Sequence, residues 1–274
     1  MNQTSNQKDI DRRFEFVKPL IREAGNIALD FFIKRNQLKV EKKGLQDFVS
    51  IADKEVEAFI RKKILDTFPD DGFLGEENAE QDIIEARRNQ VNYIWVVDPI
   101  DGTTPFLNGI PSWCISIALV EKDQIKLGFI YDPNTNELYS AQEGKGALLN
   151  DEPMVVADAN QISDGPMGIG YSFRVEPDII VKFFKSFFEN GGMYLRNGSG
   201  ALSLAYVAAG KLIGYYEPHI NSWDSLAAIL MIKEAGGWTN DFLANDGLLK
   251  GNEIIGCAPK LVDQLKIIIA SSSR

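Results

Sequence analysis

Apolar residues along the chain recur with two different periods. From Asp9, the positions Phe16, Leu20, Ile21, Ala24, Ile27, Ala28 and Phe31 follow helical spacing. They predict a long amphipathic helix over 9–34, preceded by a polar tail, 1–8. Val56, Phe59, Ile60, Ile64 and Phe68 share one face and place a second helix after Asp53. A polar third helix is expected around 79–90. The period then changes. Segments 93–97, 114–120, 125–131 and 137–141 read as strands separated by the turn residues DPNTNE and EGKG, in a meander reaching about residue 157. The last third alternates: strands at 166–171, 193–196, 212–217 and 253–257, helices at 177–190, 200–209, 224–235 and 259–270. Gly210 and the pair Gly236–Gly237 are natural helix stops. The pattern predicts a mixed α and β fold with large sheets covered by helices. The stretch ADANQISDGP divides it into an N-terminal part, 1–158, and a C-terminal part, 159–274.

Composition narrows the function. The 274 residues carry a net charge of −10, which argues against a general binder of nucleic acid or of anionic membranes. An acidic protein still binds an anionic ligand where a metal ion reverses the local sign. Two cysteines, Cys114 and Cys257, lie far apart in apolar surroundings and suggest no disulfide framework. The first residues, MNQTSNQKDIDRR, lack the apolar stretch of a secretion signal. No run approaches the ~18–20 apolar residues needed to span a bilayer. The expectation is a soluble, cytoplasmic protein with no membrane and no nucleic-acid partner.

Residues 93–106 read YIWVVDPIDGTTPF, so a buried strand ends in two carboxylates, Asp98 and Asp101. Pro99, with no N–H and a fixed φ, is expected to stop the strand and turn the chain. Gly102 lets backbone approach a ligand closely. Two such carboxylates repel each other unless a positive group lies between them or one is protonated. The same residues could equally be a strand-ending turn with one solvated Asp. Elsewhere, GFLGEEN puts Glu76 and Glu77 in a loop that by itself reads as surface. In YYEPHINSWDSL, Asp224 opens an apolar helix, either as its N-cap or at the mouth of a site. Asp47 and Asp53 flank a short β-like run in KGLQDFVSIAD and would alone be a turn and a helix start.

DPIDGTTPF, GEEN, the Asp47-x-Val-x-x-x-Asp53 spacing and WDSLAAILMIKEAGG, in this order, resemble the inositol monophosphatase family. GKGALLNDEPMVV and RNGSGALSLAYVAAGKLIGYYE extend the likeness over about residues 10–270. Members of that family are Mg²⁺-dependent, lithium-sensitive phosphatases of small sugar and polyol phosphates. The resemblance implies an α+β fold, a layered αβαβα sandwich, and a homodimer. It further implies that Glu76, Asp98 and the carbonyl of Ile100 hold one Mg²⁺, and that Asp98, Asp101 and Asp224 hold a second. A third, weaker ion would share Glu76 with waters. By the same resemblance, Asp53 and Thr103 orient and deprotonate the attacking water; two-metal chemistry then predicts direct attack by water and no phosphoenzyme. Backbone amides at Gly102 and Thr103 cradle the phosphate. Glu217 contacts substrate hydroxyls, helped by backbone near Gly198, Ser199 and Gly200. The implied substrate is a small phosphorylated polyol, first of all myo-inositol 1-phosphate. Histidinol phosphate, fructose 1,6-bisphosphate and a nucleotide 3′-phosphate are alternatives for the same chemistry, and a non-catalytic metal- or partner-binding protein is the alternative of another class.

Elementary chemistry is consistent with that assignment. The proposed ligands are all oxygens, which hard Mg²⁺ prefers. A single histidine, His219, excludes a His-rich zinc centre. Four to five carboxylates bring about −4 to −5, which two or three Mg²⁺ ions nearly neutralise. An EF-hand fails on loop spacing, and a dinucleotide fold lacks its glycine fingerprint. Some residues depart from the family pattern. Pro105 stands where asparagine is common, Asn221 where histidine is frequent, and either Lys42 or Lys43 could replace the usual lysine. Glu77 reads as surface.

Overall fold

In the computed structural model, backbone is described for residues 3–37, 40–44 and 47–272, and side chains for 7–36, 51–86 and 88–271. Helix α1 (Gln3–Ile33) starts six residues before Asp9, so the expected polar tail is helical from Gln3. The added turn, QTSNQK, contains no apolar residue, and hydrophobic periodicity therefore does not register it. Strands β1 (Val40–Gly44) and β2 (Asp47–Ser50) form an antiparallel pair. Lys42, Lys43 and Asp47 lie in this pair, their side chains outside the described ones. Helix α2 (Ile51–Thr67) begins before Asp53 rather than after it. Asp53 thus sits in the first turn, where the helix dipole favours a carboxylate.

Strand β3 (Gly72–Gly75), helix α3 (Ala79–Asn89) and strand β4 (Tyr93–Asp101) follow. Residues 72–75, for which the pattern predicts no element, form a fully buried strand paired parallel to β4, and Glu76 and Glu77 follow it in a loop as expected. The strand's four residues, glycine at both ends, are too short to show a period. Contrary to expectation, Pro99 does not stop β4. Asp98 pairs with Ser116 and Asp101 with Cys114, so Pro99 and Ile100 bulge out of register. A proline has no N–H to give a ladder, and a bulge is where a sheet tolerates it.

Helix α4 (Thr103–Leu107) is a single turn, followed by the meander β5 (Cys114–Glu121), β6 (Gln124–Asp132), β7 (Glu137–Gln142), β8 (Ala147–Leu149) and β9 (Glu152–Pro153). These give a seven-stranded sheet in the order β3-β4-β5-β6-β7-β8-β9. The chain continues through β10 (Pro166–Ile169), α5 (Pro177–Glu189), β11 (Met193–Leu195), α6 (Gly200–Ala208), β12 (Gly214–Ile220) and α7 (Ser222–Glu234). It ends with β13 (Trp238–Thr239), α8 (Gly247–Lys250), β14 (Asn252–Cys257) and α9 (Val262–Ser272). The second sheet has the order β11-β10-β12-β14-β13.

The layering follows from side-chain alternation. Trp95, Val97, Ile115, Ile117 and Leu119 pack against Val17, Ile21, Val56 and Ile60 of α1 and α2. Their neighbours Val96, Cys114, Ala118 and Val120 pack on the other face, against Leu204 of α6 and Leu226 and Leu230 of α7. Both faces of the central strands are buried, which is why they read as unbroken apolar runs. Tyr215 and Ile254 of the second sheet close the same central core. Its outer face, with Met167, Tyr216 and Ile255, is covered by Phe183 and Phe187 of α5 and by Leu265 of α9. Helices, sheet, helices, sheet and helices make the expected αβαβα sandwich. Among the described residues no helix is long and apolar enough to cross a membrane.

Candidate active site

The bulge in β4 and the N-termini of α6 and α7 converge. One carboxylate oxygen from each of Asp98, Asp101 and Asp224 lies within 4.8 Å of the others. The bulge turns Asp98 and Asp101 toward one point, and Asp98 Oδ1 accepts the Ile100 N–H at 2.8 Å, a bond that holds the bulge closed. Asp101 Oδ2 accepts from the Ser199 hydroxyl and from the Ala201 N–H at 2.7 Å. Ser199 is itself the N-cap of α6 and accepts from Leu202 N–H. The anion at the start of α6 is therefore the chain's own Asp101. Asp224 does not open α7 as its cap. Asn221 is the cap, and the Asp224 carboxylate reaches back to the Asn221 N–H at 3.3 Å in a capping box. The Ser116 hydroxyl donates to the Trp223 carbonyl at 2.9 Å, tying the start of α7 to β5.

Burial and mutual repulsion give the cluster its character. Asp98 is 2% exposed, and burial together with the charges of Glu76, Asp224 and Asp101 pushes its pKa well up. Burial also raises Asp101, outweighing its hydrogen bonds from Ser199 and from backbone amides. Asp224 is pushed up to about 7, by burial first and by Asp101 second. Among the described residues none of the three carboxylates is salt-bridged to Lys or Arg. An all-oxygen donor set that repels itself inside the protein fits a hard divalent cation, a class that includes Mg²⁺.

The other expected residues surround this centre. Glu76 follows β3, partly buried and close enough for its charge to act on Asp98. Asp53 is buried in the first turn of α2. The Thr103 hydroxyl donates to the Ile100 carbonyl at 3.2 Å. Gly102 caps α4 at φ 96°, and a Cβ there would stand 2.9 Å from the Ser112 carbonyl, so only glycine suits the position. Pro105 is the third residue of α4, where an N–H has no intrahelical acceptor, so its missing donor costs the helix nothing.

Beside the cluster opens a cleft of about 620 Å³, lined by residues that include Asp101, Gly198, Ser199, Gly200, Glu217 and Asp224. Glu217 Oε2 accepts from the Tyr215 hydroxyl at 2.6 Å, yet burial pushes its carboxyl up to about 8. Two cleft residues escaped the sequence reading: Arg174, in the loop after β10, and Arg196, just past β11. No spacing marks them, since each reaches the cleft only through the second sheet's strand order.

A cleft for a small molecule thus lies beside a carboxylate cluster that could hold a cation, in a five-layer α+β sandwich. The sequence profile of the inositol monophosphatase family matches residues 9–273, and the chain belongs to that family of phosphatases. It is 37% identical to an inositol-1-monophosphatase of Rhizobium meliloti over 260 residues, covering 92% of this chain and 95% of that one. It is also 33% identical to a protein of Haemophilus influenzae named Nus factor SuhB, covering 89% and 90% of the two. Among solved structures, a Thermotoga maritima IMPase superposes with a TM-score of 0.82 at 29% identity, over 96% of this chain and 98% of that one.

Proposed function

We propose that the protein is a Mg²⁺-dependent phosphomonoesterase of small polyol phosphates, with myo-inositol 1-phosphate as its leading substrate. The convergence of Asp98, Asp101 and Asp224 on one point carries this reading. In it, Glu76, Asp98, Asp101, Asp224 and the Ile100 carbonyl hold two or three ions. Bound Mg²⁺ supplies Lewis-acid stabilisation of phosphoryl charge and lowers the pKa of a water. The Asp53 carboxylate takes the proton of the attacking water. The Thr103 hydroxyl donates its hydrogen bond to the Ile100 carbonyl, which leaves its oxygen lone pairs to orient that water. Amides at Gly102 and Thr103 and the backbone at Gly198 to Gly200 receive the phosphate and ring. Glu217, held by Tyr215, addresses the substrate hydroxyls. The segments 1–158 and 159–274 then act as two subdomains that share the cleft.

Arg174 and Arg196 on the cleft wall favour a second reading of the substrate, since beyond offsetting Asp224 and Glu217 they make this side of the cleft receptive to an anion. On that reading the substrate carries a second anion, as fructose 1,6-bisphosphate does. Phosphate release from a substrate panel, with Mg²⁺ and with or without Li⁺, tests both readings. Arg174→Ala and Arg196→Ala are expected to lower kcat/KM for the bisphosphate about 10-fold or more, the scale of one charge-assisted hydrogen bond. Their effect on inositol 1-phosphate should stay within about threefold. Equal losses on both substrates would remove the second-anion reading. Release from no compound would favour a non-catalytic partner-binding role, a possibility raised by the relatives named as Nus factors.

We also read the active form as a homodimer. Edge strand β11 exposes Met193, Tyr194 and Leu195 in succession, beside the exposed Phe188 of α5, whose ring centre lies 6.0 Å from that of Tyr194. An unpaired apolar edge of this kind invites a second copy. Sedimentation should give twice 30.6 kDa for the wild type and a monomer for Tyr194→Lys. A wild type that sediments as a monomer would refute it.

A further inference from the structure

Behind the metal-facing residues lies a charged network that the reading above does not use. Glu57 and Arg61 stand one and two turns beyond Asp53 on α2, and Asp82 stands on α3. The Arg61 guanidinium donates to Asp82 Oδ1 at 2.6 Å and Oδ2 at 2.7 Å, and to Glu57 Oε1 at 2.8 Å. Its face lies 4.1 Å from the centre of the Phe73 ring. Both carboxylates are buried, with side-chain exposures of 3% for Glu57 and 4% for Asp82.

Each carboxylate spends a further bond on the backbone that flanks Glu76. Asp82 Oδ2 accepts the Gly75 N–H at 2.9 Å, on one side of Glu76. Glu57 Oε2 accepts the Glu77 N–H at 3.0 Å, on the other side, and Oε1 takes the Asn78 side-chain amide at 3.2 Å. The Glu76 N–H itself bonds the Val97 carbonyl at 3.2 Å, one residue before Asp98. Gly75 makes room for the arrangement, since a Cβ there would stand 2.3 Å from Glu57 Oε2. Three successive amides are thus pinned, two of them by anions that a single cation holds together. Buried charge is costly unless it is paired and fully bonded, and here it is both. The result is a Glu76 side chain launched from a backbone with little freedom to move away from Asp98.

We propose that Arg61, acting through Glu57 and Asp82, is a positioning residue that holds the Glu76 segment beside Asp98 and thereby sets the affinity of the site for Mg²⁺. The inference rests on the reading of Glu76 and Asp98 as Mg²⁺ ligands. Supporting groups of this kind typically alter metal affinity about 10–100-fold.

Calorimetric titration of the full chain with Mg²⁺ alone tests it, on Arg61→Met, Arg61→Lys, Glu57→Gln and Glu76→Gln beside the wild type. Arg61→Met is expected to weaken Mg²⁺ binding about 10-fold or more, and Arg61→Lys to recover part of that loss. Glu57→Gln keeps the volume but can no longer serve both Arg61 and Glu77, and should weaken binding about 3–10-fold. Phosphate release at saturating Mg²⁺ should return to within about threefold of wild type for these three variants, because the metal then restores the arrangement. A merely structural role would lower the melting temperature in EDTA and leave Mg²⁺ affinity alone. If Arg61→Met does not fold, Glu57→Gln decides. Wild-type Mg²⁺ affinity in the folded Arg61 and Glu57 variants, with Glu76→Gln weakened, would overturn the positioning role and leave the ligand reading intact. Wild-type affinity in Glu76→Gln would overturn the ligand reading and the positioning role with it.

Discussion

Asp98→Asn is expected to abolish Mg²⁺-dependent phosphate release, lowering kcat about 10³-fold, while the protein stays folded. Asparagine matches aspartate in shape and keeps an oxygen at Oδ1, so the bond from the Ile100 N–H survives and the β4 bulge with it. What is lost is one negative charge at the most crowded point of the cluster. Loss of a single preorganised electrostatic group typically costs about 10²–10³-fold in kcat, and a residue proposed to serve two ions stands at the upper end. Without metal the Asp98 carboxyl, its pKa pushed well up, shares a hydrogen bond with Asp224, and an asparagine amide can donate that bond in its place. In EDTA near neutral pH the variant should therefore melt no lower than wild type. Steady-state turnover and calorimetry on one preparation check both halves. Near-normal turnover would refute the metal assignment, and a sharply lower melting temperature would show that Asp98 serves the fold instead.

Removal of divalent cations should make stability fall as pH rises. The Asp224 carboxyl sits at about 7 instead of 3.8, and that of Glu217 at about 8 instead of 4.5. Asp98 and Asp101 are displaced in the same direction. A folded state that keeps protons the unfolded chain gives up is favoured at low pH. The contribution is complete below the unfolded values and is lost as pH climbs through 7 to 8. In EDTA the melting temperature should drop on the order of 5–10 °C between about pH 5.5 and 8.5, at roughly 2–4 °C for each kcal/mol. Groups of the opposite sense do not disturb this window. Asp11, drawn down to about 2 by Lys145 and Gln142, changes its contribution only in acid. Saturating Mg²⁺ should restore most of the lost stability at the alkaline end and little at the acid end, since protons compete with the ion. At about 100 times its dissociation constant the ion adds about 2.7 kcal/mol. A melting temperature in EDTA that holds level or rises across this range would contradict a cluster of acids held protonated by burial and crowding.

Much of this molecule is legible along the chain. The apolar helix faces of α1 and α2, the meander from β5 to β7 and the alternation from β10 to α9 all follow from local period. What the period could not show were elements too short to have one: β3, α4 and β13, of four, five and two residues. Pro99 misleads for a related reason. Its local preference is to end a strand, but pairing with β5 carries β4 through it as a bulge. Asp224 reads locally as a helix cap because the N-cap and third positions are only three residues apart. Asn221 takes the cap, which frees Asp224 to serve the capping box and the cluster together.

Residue type and order along the chain were enough to determine the layered class, the family resemblance and an acidic centre suited to a hard cation. Local periodicity and oxygen chemistry do not depend on distant partners. Tertiary structure alone decided which groups meet. It brought Asp224 of α7 to Asp98 and Asp101 of β4, turned Arg174 and Arg196 onto the cleft, and joined Glu57, Arg61 and Asp82 behind Glu76. Apart from the Glu57–Arg61 pair, one turn apart on α2, those contacts join residues that strand order and helix packing bring together from separate elements, a distance over which no periodic signal in the sequence persists.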